Sequence, residues 1–306
     1  MDSGPFHAGE LAMQERAGSR QRLAESAPRG IRDHMPDQHR ELFEQLPFLL
    51  AGSVDAQGQP WASVLAGPPG FVRSPDPRLL RVDARPLPHD PLAFTLRGGM
   101  AIGLLGIQPH TRRRNRMNGR VVALDAEGFA VQVGQSFGNC PKYITPREAR
   151  YAPGPESEPE GASSLERLKE LDEEAQRLLA RADTFFLATA HPAAEEGWRP
   201  ALGVDISHRG GPAGFVRVED ERRLCVPDFV GNAFFMTLGN LHLYPRCGLL
   251  FIDFASGDRL YLAARAELEW EGPGVRAIEG AQRLMHLELT EIVRVRGALP
   301  LRWTAP

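Results

Sequence analysis

Residues 67–82 read GPPGFVRSPDPRLLRV, and residues 211–226 read GPAGFVRVEDERRLCV. A shift of 144 aligns them without a gap, and ten of the sixteen positions are identical, among them Gly70/Gly214, Phe71/Phe215, Val72/Val216 and Arg73/Arg217. The match extends outward. Ile102-Gly103-Leu104-Leu105-Gly106-Ile107 aligns with Cys247-Gly248-Leu249-Leu250-Phe251-Ile252, and upstream FLLAGS (48–53) resembles FFLATA (185–190). A repeat this long exceeds any solenoid unit and marks a duplicated domain. A chain of 306 residues agrees with two domains.

Within each copy the apolar runs are short and rich in β-formers. LPFLLAGSVDAQGQPWASVLAG holds two such runs around the polar turn Asp55–Gln59, a hairpin signal. Six or so short strands per copy, with little helix between them, predict a small antiparallel barrel. The fold class is therefore mainly β with flanking helices, two tandem barrels packed face to face as a pseudo-dimer. The expected divisions are an N-terminal helical segment (1–45), a first barrel (46–151), a linker and connecting helix (152–182) and a second barrel (183–306). APGPESEPEGASS (152–164) has linker composition. Leu165, Leu168, Leu171, Ala175, Leu178 and Leu179 then recur at helical spacing, with Ser163 or Ser164 as the N-cap. Residues 8–25, and Pro36 to about Gln45, also read as helix.

The formal net charge is −3, which gives no general reason to expect nucleic acid or a membrane surface as partner. Three widely spaced cysteines form no metal-ligand motif, so no metal is expected, and they suggest free thiols in the cytoplasm. The start lacks a secretory pattern, and no apolar run is long enough to span a bilayer. GxxxxGK[ST], GxSxG, HExxH and GxGxxG after a strand are all missing, so hydrolase and kinase chemistries lack their parts.

Several stretches concentrate polar groups. Ser207-His208-Arg209-Gly210-Gly211 joins backbone donors to an arginine fork, which suits a phosphate; it also suits an ordinary turn. In the following GFVR, alternation puts Phe215 and Arg217 on one face and Val216 on the other, and a shared core strand is the plain reading. VPDFVGNAFFMTLGNL (226–241) carries Pro227, Asp228, Asn232, Thr237 and Asn240 at a strand end and helix start. It reads as an anion-binding turn or as a helix capped by Asp228 or Asn232. Copy one has the proline-rich VDARPLPHDPLAFTLRGG there, so one site kept and one lost is the simplest account. HTRRRNRMNGR (110–120) is a solvated strand with outward arginines, a nucleic-acid patch, or a source of guanidiniums for a cofactor or nicotinamide phosphate. SFGNCPKYI (136–144) offers Asn139 and Lys142. Cys140 has no base tied to it, and no catalytic residue is named.

SHRGGPAGFVR, VPDFVGNAFFMTLGNL, PRCGLLFIDF and SFGNCPKYI resemble the pyridoxamine 5′-phosphate oxidase-related flavoproteins. HAGELAMQERAG (7–18) and MPDQHRELF (35–43) resemble its tandem form, and the likeness covers nearly the whole chain. It implies split barrels with FMN, or FAD, at their interface. Ser207, His208, Arg209, Gly210, Phe215, Val216, Arg217, Pro227, Asp228, Asn232, Thr237, Asn240, Asn139 and Lys142 would be the cofactor-binding residues. Many relatives read GNRR and grip the phosphate with those arginines. Here Ala233-Phe234 stands in their place, so Arg209, Lys142 or the 112–116 cluster must serve. Longer relatives add a ferredoxin-reductase-like module and an iron–sulfur domain. No cysteine set for such a cluster is present, so electrons are expected from NAD(P)H, a separate reductase or a ferredoxin. The implied activity is an FMN-dependent oxidoreductase; the alternative is a non-catalytic flavin or haem carrier. Either a monomeric pseudo-dimer or a homodimer fits.

Overall fold

The computed structural model describes residues 4–153, 163–197, 199–297 and 299–304, so most of the expected linker (154–162) lies outside the described residues. Three helices come first: α1 (Ala8–Arg16), α2 (Arg20–Gly30) and α3 (Asp37–Glu44). α1 begins at a capping box, in which Gly9 N donates to His7 Nδ1 at 3.1 Å and His7 N donates to Glu10 Oε2 at 2.7 Å.

Next come β1 (Phe48–Val54), β2 (Pro60–Ala66), β3 (Val72–Asp76), β4 (Leu79–Val82), α4 (Leu92–Thr95), β5 (Ala101–Gln108), β6 (Arg113–Leu124) and β7 (Phe129–Gly138). β8 (Glu148–Tyr151), β9 (Ser164–Leu168) and α5 (Glu173–Arg181) lead to the second set. That set comprises β10 (Thr184–Ala190), β11 (Val204–Gly210), β12 (Arg217–Asp220), β13 (Arg223–Phe229), α6 (Met236–Leu243), β14 (Arg246–Ile252), β15 (Arg259–Glu269), α7 (Pro273–Arg276) and β16 (Ala281–Arg296). Finally β17 (Leu301–Thr304) pairs with β8.

The first sheet runs β2-β1-β5-β6-β7-β4-β3 and the second β11-β10-β14-β15-β16-β13-β12. Strand for strand, the two orders are the same. The sequence repeat is therefore a repeat of topology, and the fold is a tandem of split barrels. Register agrees to the residue: Arg73 faces Arg81 in the first barrel, Arg217 faces Cys225 in the second, and a bulge follows each. The GPxGF motif itself is a turn. Phe71 N donates to Pro68 O, and Phe215 N to Pro212 O, both at 2.9 Å. Gly70 and Gly214 take φ of 94° and 80°, where glycine is at ease. A Cβ on Gly67 or Gly211 would strike the following Phe ring at 2.6 or 2.7 Å.

Alternation along the strands explains why FLLA and GLLGI are apolar without interruption. Leu49, Ala51, Ile102 and Leu104 fill the first barrel, while Phe48, Leu50, Leu105 and Ile107 point outward. There they meet Phe186, Ala188, Leu250, Ile252 and Tyr261 of the second barrel. Strands buried on both faces need no polar side. Each such leucine contributes about 1.5–3 kcal/mol by burial. The second barrel has its own core, with Phe185 stacked between Phe215 (5.8 Å) and Phe251 (5.0 Å).

Two local expectations are corrected. Leu165 and Leu168 are not helical: they lie on β9, an edge strand covering Leu168↔Ile292 through Ser164↔Arg296 of β16. The helix starts later, where the Asp172 carboxylate accepts Ala175 N at 2.9 Å, so neither Ser163 nor Ser164 is its cap. Their three-residue spacing fits a helix turn, but the edge of β16 needed a partner more. Neither Asp228 nor Asn232 caps α6; its N-cap is Phe235, in a left-handed conformation. No described helix is long and apolar enough to cross a membrane.

Candidate functional site

A cleft of about 270 Å³ opens between the barrels on the face covered by α1 and α2. Ala17, Ser19 and Arg22 form one wall, and Leu105, Arg114 and Arg116 of β5 and β6 form another. Ser207, His208 and Arg209 come from β11, Asp228 and Phe229 from β13, and Gln282 and Arg283 from β16. Asn139, Cys140 and the 230–238 segment complete the lining.

Of the cofactor residues expected from the sequence, the fold brings Ser207, His208, Arg209, Asp228, Asn232, Thr237 and Asn139 together here. The others lie outside the lining. Phe215 and Val216 share one core, against the alternation expected, and Arg217 is exposed. Pro227 is buried in β13, paired with Leu284. Gly210 packs where a Cβ would strike Tyr143 O at 2.0 Å. The Lys142 side chain is exposed, and only its carbonyl reaches the site, accepting from Arg114 Nη2 at 3.4 Å. Asn240 lies behind the wall, where Nδ2 donates to Thr189 Oγ1 at 3.1 Å and Asp205 Oδ2 at 3.3 Å.

The electrostatics are lopsided: five lining guanidiniums, Arg22, Arg114, Arg116, Arg209 and Arg283, face one lining carboxylate, Asp228. Asp228 is already shared. Arg209 Nη1 pairs with Oδ1, and Arg283 Nη1 reaches Oδ2 at 3.1 Å. The Nε groups of Arg116, Arg209 and Arg283 are buried without a hydrogen-bond partner, as is Asn139 Oδ1. These four atoms are closed off from the cleft; what the cleft itself presents is an excess of guanidinium charge, which fits an anion such as a phosphate. Arg114 Nη1 donates to His208 Nδ1 at 2.8 Å. Burial, with Arg114, Arg209 and Arg147 beside it, holds His208 well below the ordinary histidine range, so it is a neutral imidazole. Burial lowers Arg116 to about 10, offset in part by Asp205 at 3.6 Å, and it stays charged at neutral pH. On the wall, Thr237 Oγ1 donates to Ser207 Oγ at 3.2 Å.

The sequence expectation of outward, solvated arginines on 112–116 is corrected for two of them. Alternation turns Arg114 and Arg116 inward to the cleft. Arg283 was not foreseen; its one signal is a cation inside the apolar run AQRLMHL, directly opposite Asp228 across the β13–β16 pair. Phe234, at a position where arginine would have gripped phosphate, instead packs on Phe6 (5.7 Å) and Phe137 (6.0 Å). Ala233 and Phe235 beside it both sit at φ 63°, costing about 1–2 kcal/mol each. Gln14 Nε2, donating to Phe234 O at 3.1 Å, helps hold this loop.

The pseudo-symmetric position in the first barrel is filled. By strand register Arg259 is the counterpart of Arg114, Tyr261 of Arg116, and Ser63 of Ser207. There the 83–99 segment folds in. Asp90 Oδ2 accepts from Tyr261 Oη at 2.7 Å and Val64 N at 3.2 Å, Oδ1 accepts from Leu92 N at 2.9 Å, and Arg259 is wholly buried. A carboxylate from the chain stands near Arg259, whose counterpart Arg114 lines the cleft in the other half.

No family model matches the sequence, and no curated protein matches it. Solved structures similar to it include HupZ from Group A Streptococcus (14% identity, TM-score 0.31, covering 40% of this chain and 90% of that one). HutZ, the haem storage protein from Vibrio cholerae, has 15% identity and TM-score 0.29, covering 42% and 96%. A general stress protein 26-related protein of the pyridoxinephosphate oxidase family from Clostridium acetobutylicum has 10% identity and TM-score 0.30, covering 43% and 92%. Each covers about two fifths of this chain.

Proposed function

We propose that the inter-barrel cleft binds one phosphorylated flavin, FMN, and that the chain is an FMN-dependent oxidoreductase drawing electrons from NAD(P)H or a separate reductase. The observation that carries this reading is the set of five guanidiniums against one shared carboxylate. Arg209, Arg283 and Arg116 would hold the phosphate, while Ser207, Thr237 and Asn139 would offer neutral hydrogen bonds. The cleft, of about 270 Å³, lies just below the usual range of ligand pockets, so part of the flavin would extend out of it. A bound flavin supplies the redox chemistry; the protein's part is to fix its orientation, exclude water and set the charge around it. Asp90 and the 83–99 segment fill the counterpart position, which supports one site per chain.

One observation favours a carrier of flavin or haem instead. Asp228 is tied to two arginines, and His208 is neutral with Nδ1 engaged, so neither is a free acid or base at the cleft. Anaerobic addition of NAD(P)H to the flavin-loaded protein, followed by admission of oxygen as acceptor, separates the two: bleaching that oxygen reverses over repeated cycles supports the enzyme, and stable retention of oxidised flavin supports the carrier.

A further inference from the structure

We propose a second site, on the outer face of the second barrel, for a borderline divalent cation of the zinc type. Its ligands are Cys225, His286 and Glu219. Cys225 and His286 are direct cross-strand partners on β13 and β16, so their side chains share one face. The bulge between Val218 and Asp220 of β12 brings Glu219 to the same place. The three ligand atoms all lie within 4.8 Å of one another. His286 Nδ1 is 3.7 Å from Glu219 Oε1. Tetrahedral bonds of about 2.0–2.3 Å imply ligand separations of roughly 3.3–3.7 Å, so only a small closure of the exposed Glu219 is needed.

The imidazole is already oriented. His286 Nε2 bonds Glu269 Oε2 at 2.9 Å, which leaves Nδ1 facing Glu219. A carboxylate behind a ligating histidine is the usual second layer of a metal site.

The duplicated barrel gives an independent argument. By register Arg81 is the counterpart of Cys225, and Asp125 the counterpart of Glu269. In the first barrel the Arg81 guanidinium fills this place, paired with Asp125 at 2.7 Å and Asp83 at 2.6 Å. In the second barrel the acid is kept, the arginine is replaced by a thiol, and an imidazole and a second carboxylate are added. A cation of the chain has given way to a ligand set for one from solution. Thiolate and imidazole select zinc-like ions over calcium or magnesium.

The test is titration of the chelator-stripped full-length chain with Co²⁺, read by the thiolate-to-cobalt charge-transfer band in difference absorption, with folding checked by circular dichroism. One Co²⁺ per chain is expected, displaced by Zn²⁺ and not by Mg²⁺. Cys225→Ser should abolish the band, and His286→Ala should weaken binding at least tenfold. Glu219→Gln, at an exposed position that cannot unfold the barrel, should weaken it severalfold. Cys140→Ala, in the cleft and not on this face, should leave the Co²⁺ band unchanged. A wild-type chain without the band overturns the proposal. So does a band that survives in folded Cys225→Ser, or one lost in Cys140→Ala.

Discussion

Arg114 and Arg259 hold the same register position in the two sheets, beside Ile107 and Ile252 respectively, yet one lines an open cleft and the other is wholly buried near Asp90. One ancestral position lines a cleft in one half and is a buried structural group in the other. Asp90→Ala should therefore destabilise the chain by about 1–3 kcal/mol, because it leaves Tyr261 Oη and the Val64 and Leu92 amides without their buried acceptor. Urea denaturation measures this. A loss below about 1 kcal/mol would mean that Asp90 does not anchor the plug.

In the cleft itself, Arg209→Ala should weaken flavin binding by about 10- to 150-fold, the equivalent of one charged hydrogen bond at about 1.5–3 kcal/mol. Arg73→Ala, at an exposed residue paired with Asp83, should leave affinity unchanged. Fluorescence titration with FMN compares them. Equal affinity in the two variants would contradict a phosphate grip by Arg209.

Much of this was legible in the sequence, for a physical reason. The repeat is readable because both copies need the same glycines and phenylalanine to turn into a barrel core. Continuous apolar strands are readable because both faces are buried. SHRGG and PDFVGN stand out as polar groups that a barrel has no structural need to gather. Phe215 and Val216 lie off the cleft because a shared motif can be shared for its core alone, and Arg217 is exposed on β12. Arg283 and the Glu219–Cys225–His286 cluster were invisible because strand pairing, not sequence spacing, brings their members together. Leu165 and Leu168 show that three-residue spacing alone does not separate a helix from an edge strand.

The helical wall of the cleft depends on two glycines in contact. A Cβ on Gly9 of α1 would lie 2.2 Å from Gly239 O of α6. Gly9→Ala should cost about 1–3 kcal/mol and lower flavin affinity by displacing α1 and the Ala17–Arg22 wall. Gly98→Ala, with nothing within 4 Å of its Cβ, should be neutral. Thermal melts of both variants check the pair, and matching melting temperatures would refute the packing argument.

Acid sensitivity is also predicted. Burial, then Arg32 and Arg113, lower His39 from 6.5 to about 4. The unfolded chain takes up a proton in that window that the folded chain refuses, so stability present above pH 6.5 is lost as pH falls towards 4. His7 acts in the same sense, while Glu10, its carboxyl raised by burial, acts in the opposite one. His39→Gln isolates one contribution. Between pH 7 and 4.5 its melting temperature should fall less than that of the parent. Parallel falls would show that His39 does not titrate on unfolding.

The central claim is that the open cleft is a flavin phosphate site, one per chain. The most direct measurement is the absorbance spectrum of the purified protein, with mass identification of whatever denaturation releases. The account predicts a yellow protein that releases FMN at one per chain. A colourless protein that takes up no FMN, or a haem Soret band in its place, would contradict it.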